Sequence, residues 1–438
     1  MDRGRNGRKT ASARAADRAD NGSRQLPRAR QRAFCIAAMP DGEDLSELGE
    51  LLRTAGVAVM GEMVQHRDRP HPDTYLGRGK ILDVKLAAQA ADANLIACDD
   101  ELTPRQERNL EAELGLPVVD RTAVILDIFA SHAASAEGKL QVELAQLEYN
   151  LARMRGLWSH LERLGGGIGT RGPGESQIET DRRLARDRIA ALRRRLDHVK
   201  ANRAVQRAER ERVALPTIAL AGYTNAGKST LLNALTGSDV AVRDRLFHTL
   251  DPSTRTLRLN GRPYLVTDTV GFIRKLPHEL VEAFAATLEE TRRADLLLHV
   301  MDASAREEDS LAMRRSVESV LGEIGADDSP RLLVLNKIDR LTAETRHELQ
   351  LNHPQAILVS AQTGEGLEAL GEAIEREFRR TLRQVELLVP YADGGSLAEL
   401  HELAGQVSRQ DTPEGVRVRA LLPARLVQRY QRFEVACS

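Results

Sequence analysis

The most constraining feature of the chain is the segment from Gly222 to Ser229, which reads Gly-Tyr-Thr-Asn-Ala-Gly-Lys-Ser. This is the Gly-x-x-x-x-Gly-Lys-Ser pattern of a phosphate-binding loop, which needs a strand before it and a helix after it. The apolar run Thr217–Ala221 supplies the strand, and Thr230–Leu235 supplies the helix. The segment therefore predicts a nucleotide site in an α/β fold.

The residue types of this loop suit the phosphates of a nucleotide. Its glycines let backbone N–H groups close around the phosphates, and the helix N-terminus adds partial positive charge. We expect Lys228 to reach the β- and γ-phosphates as a catalytic group, and the Ser229 hydroxyl to bind Mg²⁺. The predicted nucleotide contacts are those of Gly222, Tyr223, Thr224, Asn225, Ala226, Gly227, Lys228 and Ser229.

Three shorter segments follow this loop, each at the end of a strand-like run. They are Asp268-Thr269-Val270-Gly271, Asn336-Lys337-Ile338-Asp339 and Ser360-Ala361. Open α/β sheets bind ligands at the carboxyl ends of their strands, so all three are expected at the nucleotide. We expect Asp268 to hold Mg²⁺ through water, and the Gly271 N–H to meet the γ-phosphate during catalysis.

The segment Asn336 to Asp339 predicts which base is bound. Guanine presents N1–H and N2–H₂ as adjacent donors, and one carboxylate, that of Asp339, can accept from both. We expect the Asn336 amide near the purine N7 and O6, and the Ala361 N–H as a donor to O6. Adenine lacks the N2 amine and would leave the carboxylate unpaired, so the sequence predicts GTP as the substrate.

The segment between the phosphate loop and Asp268 is predicted to be the mobile first switch. Its expected nucleotide contacts are Phe247, His248, Thr249, Leu250 and Asp251. A threonine in this segment can complete the Mg²⁺ shell when GTP is bound. Thr249 is the first choice, as metal ligand and catalytic residue, and Thr254 is the second. Asn260-Gly261 then predicts a tight hairpin turn.

One position in the site departs from the common pattern. Many GTPases place a water-orienting Gln directly after the Gly of Asp-x-x-Gly, and this chain has Phe272 there. Phenylalanine cannot orient water by hydrogen bonding. Either another group positions the water or the site is completed on a partner. The sequence identifies no arginine finger, although Arg243, Arg245 and Arg255 are near the switch.

The rest of the chain is divided by changes in pattern. Alternating strands and helices predict an α/β domain with a parallel sheet over residues 33–137, including a helix that Thr103 and Pro104 begin and Gly115 ends. The GTP-binding domain is expected over residues 216–381, and a small α+β domain over residues 382–438. Residues 1–32 are expected to form a disordered basic arm.

Residues 138–215 have the pattern of an antiparallel helical hairpin. Apolar residues repeat in heptad steps in two series, Leu140, Leu144, Leu147, Leu151, Met154 and Trp158, then Ala185, Ile189, Leu192, Leu196 and Val199. The connector from Gly165 to Glu175 is rich in Gly and Pro, so it is not expected to be helical. It is either a loose hinge or a tip that reaches a partner.

Charge and cysteine content limit the partners and the compartment. The net charge is −1, but residues 182–212 carry twelve Lys and Arg against four acidic residues, and residues 1–32 carry ten against three. Such basic blocks are either solvated faces or contacts for nucleic acid. Three cysteines without disulfide or metal spacing favour a reducing compartment. No run is long enough for a membrane span. We expect a cytoplasmic monomer, with peripheral membrane association left open.

Several motifs together resemble the HflX family of ribosome-associated GTPases. These motifs are Thr74-Tyr75-Leu76-Gly77-Arg78-Gly79-Lys80, Asp99-Asp100-Glu101-Leu102-Thr103-Pro104, Asp120-Arg121-Thr122, Gly172-Pro173-Gly174-Glu175-Ser176, Glu179-Thr180-Asp181-Arg182-Arg183 and Phe247-x-Thr249-Leu250-Asp251-Pro252. The resemblance covers about residues 33–380. It implies an N-terminal α/β domain, a helical hairpin and a GTPase domain that binds the 50S ribosomal subunit and its rRNA, and splits or rescues stalled ribosomes.

The resemblance leaves other functions open. A ribosome-assembly factor, a tRNA-modification GTPase, or a structural or signalling module could carry a similar GTP site. Resemblance to GTPases that lack the switch Gln also implies K⁺ as a further cofactor, held against the phosphates by Asn225. The alternative is that Asn225 only shapes the loop.

Overall fold

The computed structural model describes residues 31–40, 44–164, 173–213, 215–238, 246–247, 252–275, 285–380, 382–404 and 407–435. The predicted switch residues His248, Thr249, Leu250 and Asp251, the basic arm up to residue 30 and the connector residues 165–172 lie outside these ranges. Within these ranges, no helix is both long enough and apolar enough to cross a membrane.

The N-terminal α/β domain contains the parallel sheet that the sequence predicts. Its strands β1 (Arg32–Met39), β2 (Ala58–His66), β3 (Leu95–Cys98) and β4 (Val118–Asp120) lie in the order β2-β1-β3-β4, and all pairs are parallel. Four helices follow the strands in turn: α1 (Ser46–Thr54), α2 (Arg78–Ala90), α3 (Pro104–Leu114) and α4 (Arg121–His132). Helices on both faces leave β1 buried along nearly its whole length.

The predicted limits of α3 are confirmed. The Thr103 hydroxyl accepts from the Gln106 N–H, and the Gln106 side chain accepts in return from the Thr103 N–H, so the helix begins with a capping box. Gly115 ends it at φ +72°, a left-handed conformation that favours glycine.

Two long helices, α5 (Ala136–Leu164) and α6 (Pro173–Val213), pack along the predicted heptad seam. The shared core contains Leu140, Leu144, Ile189, Leu192 and Leu196. The prediction that the connector stays non-helical to Glu175 is wrong at its end, since α6 begins at Pro173. Proline is tolerated in the first turn of a helix, where its missing N–H has no intrahelical partner.

The GTPase sheet has the strands expected before the four site segments, the hairpin partner of the Asp268 strand, and one further strand, Leu296–Asp302, that the sequence did not indicate. They are β5 (Thr217–Gly222), β6 (Ser253–Leu259), β7 (Arg262–Asp268), β8 (Leu296–Asp302), β9 (Arg331–Asn336) and β10 (Ile357–Leu358), in the order β10-β9-β8-β5-β7-β6. All neighbours are parallel except β6 and β7, which are joined by the predicted turn at Asn260 (φ +48°) and Gly261 (φ +82°). The helices are α7 (Lys228–Thr236), α8 (Ala285–Arg293), α9 (Glu307–Glu323), α10 (Ala343–Asn352) and α11 (Leu367–Arg379).

A three-stranded antiparallel sheet follows the GTPase sheet. It consists of β11 (Leu382–Val389), β12 (Ser408–Thr412) and β13 (Gly415–Pro423) with helices α12 (Gly394–Ala404) and α13 (Ala424–Tyr430). The edge strand β12 is polar and was not anticipated. Arg262 of β7 anchors this unit, because its guanidinium donates to the carbonyl oxygens of Ala404 and Leu421.

Candidate nucleotide site

The phosphate loop begins at the carboxyl end of β5 and ends where α7 begins. Asn225 (φ +60°) and Gly227 (φ +89°) both lie in the left-handed region, which turns the backbone sharply before the helix. A Cβ at Gly227 would lie 2.3 Å from Nδ2 of Asn336, so a side chain there would displace the loop from β9. The loop therefore packs tightly against the carboxyl end of β9.

Lys228 is buried at the base of this loop. Its Nζ donates to the carbonyl oxygens of Gly222 (3.1 Å) and Tyr223 (2.9 Å). Burial lowers the pKa of Lys228 to about 8, with a smaller opposing effect from the Asp268 carboxylate. An ammonium in this low-dielectric position interacts more strongly with a phosphate than one in water does.

A pair of oxygen groups next to Lys228 has the chemistry of a magnesium site. The Ser229 hydroxyl donates to Oδ2 of Asp268 over 2.5 Å, and Asp268 is fully buried at the end of β7. A hydroxyl and a carboxylate beside a phosphate site are the ligands that Mg²⁺ takes, so these residues fit the ion. Thr254, the second choice for the metal shell, lies within β6, where its hydroxyl pairs with that of Thr267 at 2.9 Å.

The Asp-x-x-Gly segment runs directly alongside the phosphate loop. The Phe272 N–H donates to the Gly222 carbonyl (3.1 Å), and the Thr224 N–H donates to the Phe272 carbonyl (2.8 Å). A Cβ at Gly271 would lie 2.7 Å from Cγ2 of Thr224 and 3.0 Å from Nζ of Lys228, so only glycine fits here. The Thr269 hydroxyl donates to the Leu220 carbonyl, and Val270 is buried in the core.

Phe272 does not face the reacting groups. Its side chain is 1% exposed and belongs to the same apolar cluster as Phe129 and Ile273. The position that often holds a water-orienting Gln therefore contributes to packing in this chain.

The two base-recognition segments contact one another and the phosphate loop. The Asn336 amide donates to the Ala226 carbonyl (2.9 Å) and accepts from the Ala361 N–H (3.0 Å). The Ser360 hydroxyl donates to Oδ1 of Asp339 (2.6 Å), Lys337 pairs with Asp302 (2.7 Å), and Ile338 is buried. The structure thus pairs Asn336 with both Ala226 and Ala361, and the contacts of Asn336, Ala361 and Asp339 with the base stay predictions.

Two residues expected at the nucleotide have side chains that reach the N-terminal domain. The Phe247 ring is buried edge-on against Phe129 of α4, with ring centroids 4.6 Å apart. The Tyr223 hydroxyl donates to Glu47 of α1 (2.5 Å) and accepts from the Arg274 N–H (2.7 Å). The aromatic ring of Phe247 therefore fills an apolar contact between domains, and a contact of this residue with the nucleotide stays a prediction.

A buried arginine that the sequence did not mark as part of the site joins the N-terminal domain to the residues that directly follow the Asp-x-x-Gly segment. Arg121 pairs with Asp99 (2.7 Å) and Glu47 (3.0 Å), and donates to the Arg274 carbonyl (3.0 Å). Burial alone would lower the pKa of Arg121, but the Glu47 and Asp99 carboxylates outweigh it and raise that pKa. An arginine at the start of an apolar helix is the signal that could have revealed this contact.

Lys275 extends the same contact. The Nζ of Lys275 pairs with Asp99 (2.9 Å) and Asp100 (2.6 Å). The backbone of Lys275 has a φ of +52°, which is uncommon for a residue with a side chain. The carboxyl edge of the N-terminal sheet therefore contacts the segment that is expected to sense the γ-phosphate.

The chain is similar to known proteins along most of its length. Three family profiles match in order: "GTP-binding GTPase N-terminal" at residues 42–130, "GTP-binding GTPase Middle Region" at residues 132–210 and "50S ribosome-binding GTPase" at residues 217–337. The GTPase HflX of Caldanaerobacter subterraneus subsp. tengcongensis is 46% identical over 417 residues, which cover 94% of this chain and 96% of the relative. The chain belongs to the HflX family of GTPases.

The HflX of Escherichia coli is 45% identical over 367 residues, covering 83% of this chain and 85% of the relative. Among solved structures, a GTP-binding protein from Sulfolobus solfataricus in complex with GDP is 28% identical and covers 78% of this chain and 98% of that chain, with a TM-score of 0.41. That overall similarity is too low to support an argument about the site. Family membership establishes this HflX chain as a GTPase with a phosphate-loop fold.

The lowered pKa of Lys228 predicts proton uptake on nucleotide binding. Above about pH 8 the free protein holds this lysine largely neutral, and phosphate oxygens favour the ammonium. Binding of GDP near pH 9 should therefore take up about one proton, and affinity should fall by up to about tenfold per pH unit above pH 8. Calorimetry in buffers of different ionisation enthalpy measures the uptake. Lys228→Arg, which stays charged, should abolish it. The same uptake in that variant would exclude Lys228 as its source.

The buried Arg121 predicts a large loss of stability when its charge is removed. Arg121→Met removes one cation from the Glu47 and Asp99 carboxylates, which keep Arg274 and Lys275. The change should lower the free energy of unfolding by about 3 kcal/mol, the low end for breaking a buried pair. The matched control is Arg53→Met, which breaks the exposed pair with Glu50 and should have little effect. Urea unfolding of both variants provides the comparison. Equal losses would show that the ion pairs of Arg121 do not hold the domains together.

Proposed function

We propose that this chain is a Mg²⁺-dependent GTP hydrolase that binds the 50S ribosomal subunit and its rRNA, and that splits or rescues stalled ribosomes. The observation that carries this proposal is the position of Phe272: the catalytic segment lies against the phosphate loop, but its water-orienting position is buried. Such a site is best completed by a partner. The profile match named "50S ribosome-binding GTPase" supports the ribosome as that partner.

In this proposal the residues of the site divide the work of phosphoryl transfer. Ser229 and Thr249 would bind Mg²⁺ directly, and Asp268 would bind it through water. The ion would neutralise charge on the phosphate oxygens. The Lys228 ammonium and the Gly271 N–H would stabilise the negative charge that builds up in the transition state. Asp339 would select guanine.

The hairpin provides the proposed contact with rRNA. Three consecutive arginines of α6 are exposed: Arg193, Arg194 and Arg195. Arg193 forms an ion pair with Glu148 (2.7 Å), although its side chain is largely exposed to solvent. Such a surface pair contributes little and can exchange for a phosphate. We place the protein in the cytoplasm as a monomer, where ribosomes are its partner.

The role of Asp339 predicts a change of base. Asp339→Asn replaces an acceptor by an amide that can donate, and xanthine has a carbonyl where guanine has its N2 amine. GTP affinity should fall by about a hundredfold or more, and affinity for xanthosine triphosphate should rise. Competition binding with both nucleotides measures this switch, with the exposed Glu344→Gln as control. Wild-type GTP binding by Asp339→Asn would exclude this carboxylate from base recognition.

The proposed role of Asn225 predicts dependence on K⁺. If its side chain helps to hold a cation against the phosphates, turnover should be higher in K⁺ than in Na⁺. Asn225→Gly keeps access to the left-handed backbone that the loop needs, and it should remove the difference between the two salts. If Asn225→Gly keeps the K⁺ effect, or equal rates are found in both salts, Asn225 only shapes the loop.

The ribosome proposal predicts stimulation by the large subunit. The 50S subunit should raise the GTP hydrolysis rate, and the GTP form should bind it more tightly than the GDP form. Exchange of Arg193, Arg194 and Arg195 for Gln should weaken this association about tenfold or more and reduce its salt dependence, while GTP binding is unchanged. The control exchanges Arg376 and Arg379 of α11 together with Arg380, the residue that follows this helix.

Rates with and without 50S, and dissociation of 70S ribosomes into subunits, are measured in parallel. Stimulation without splitting would favour a role in ribosome assembly. If 50S leaves the rate unchanged and the α6 variant binds normally, the ribosome proposal is wrong.

A further inference from the structure

A cavity of about 220 Å³ lies between α1 of the N-terminal domain and the GTPase domain. It is bounded by α1, the phosphate-loop residues Tyr223 to Ala226, the end of β8 and α9. Its apolar walls are formed by Tyr223, Leu246, Met301, Met313 and Val317. Lys228, Ser229 and Asp339 are not part of its lining, so the cavity is separate from the groups assigned to Mg²⁺ and the base.

Two buried polar side chains in this lining have no hydrogen-bond partner among the described residues. Nε2 of His299 and Oγ1 of Thr224 are both buried without a partner, and these residues are only 3% and 7% exposed. A buried polar atom that lacks a partner costs free energy, and native proteins rarely leave one without a reason. Two such side chains on one cavity indicate a ligand that can bond to them.

The charged groups of the lining favour a neutral ligand. Each of them is already in an ion pair with another residue: Glu47 with Arg121 and Arg274, Glu50 with Arg53, Asp302 with Lys337, Asp309 with Arg306, and Arg314 with Glu318. A charged ligand would lose its hydration without gaining an uncommitted counter-ion.

The protonation state of the His299 imidazole determines which polar group of a ligand can form a hydrogen bond with it. Burial lowers the pKa of His299 to about 4, with a further contribution from Arg314, so the ring is neutral at physiological pH. A neutral imidazole nitrogen donates or accepts according to its tautomer, and a hydroxyl group can do either. The same hydroxyl chemistry suits Oγ1 of Thr224.

We propose that this cavity binds a small, neutral aromatic molecule that carries a hydroxyl group. Thioether sulfurs make favourable contacts with aromatic rings, and both Met301 and Met313 line the cavity. An apolar cavity of roughly 150 Å³ accommodates benzene, so this cavity has room for a larger ring system. The hydroxyl group bonds to Nε2 of His299, the less exposed of the two side chains, and supplies the partner that this imidazole lacks.

Occupation of the cavity is coupled to nucleotide binding. The ligand touches the phosphate loop at Thr224 and Ala226 and the N-terminal domain at Glu47. A molecule that binds more tightly to one arrangement of these residues, nucleotide-bound or free, changes nucleotide affinity, and the nucleotide changes the affinity of that molecule by the same factor.

The test uses the full chain with 2-naphthol as probe and 2-methylnaphthalene as the matched compound without a hydroxyl group. Saturation-transfer NMR and titration measure binding of each. Met313→Trp narrows the cavity and should weaken 2-naphthol binding about tenfold or more. The control Leu311→Trp changes an exposed residue of the same helix and should have no effect. His299→Leu should remove the preference for 2-naphthol over the methyl compound. Saturating 2-naphthol should shift the Kd for GDP about twofold or more.

These outcomes do not depend on GTP hydrolysis or on ribosomes, so they test the cavity separately from the proposed function. If 2-naphthol fails to bind, or binds Met313→Trp as well as wild type, or shows no advantage over 2-methylnaphthalene, the cavity holds only water and the proposal is overturned. An unchanged Kd for GDP would exclude the coupling.

Discussion

The arrangement of this GTPase depends on the buried guanidinium of Arg121. It binds two carboxylates of the N-terminal domain, Glu47 and Asp99, and also the carbonyl oxygen of Arg274, three residues after the Gly of Asp-x-x-Gly. Because removing one member of a buried ion pair leaves an uncompensated charge, the three groups hold each other in place. The segment that senses the γ-phosphate in the proposed mechanism is therefore fixed by another domain as well as by its own sheet.

The preceding residue extends this connection to the hairpin. The Asp120 carboxylate accepts from the Tyr149 hydroxyl (2.7 Å) and from the Arg153 guanidinium (2.5 Å), and both residues belong to α5. Arg153 also pairs with Glu107 of α3. Asp120 thus contacts the hairpin, and the adjacent Arg121 contacts the residues that follow the Asp-x-x-Gly segment. Arg121 and Asp120 therefore provide a short, buried connection through which a shift near the Asp-x-x-Gly segment can reach the helices that are proposed to contact rRNA.

The sequence was most informative where residue type alone decides geometry. The glycine at 227, the helix start at Thr103 and Pro104 and the Asn260-Gly261 turn were predicted because each has a local conformational cause. Side-chain contacts between residues that are distant in sequence were not predictable in this way. Phe247 was assigned to the nucleotide and packs on Phe129, and Asn336 binds Ala226 and Ala361. The partners of these side chains are distant in sequence, and composition does not reveal which surface will cover an aromatic ring.

Through Arg121, the nucleotide site and the N-terminal domain form one connected unit. Hydrogen–deuterium exchange of the full chain, bound to GDP and then to a non-hydrolysable GTP analogue, measures this connection. We expect exchange to differ between the two states in α1 and α4 as well as in the Asp-x-x-Gly segment. Differences confined to the GTPase sheet and its loops would contradict it, because the N-terminal domain would then be insensitive to the bound nucleotide.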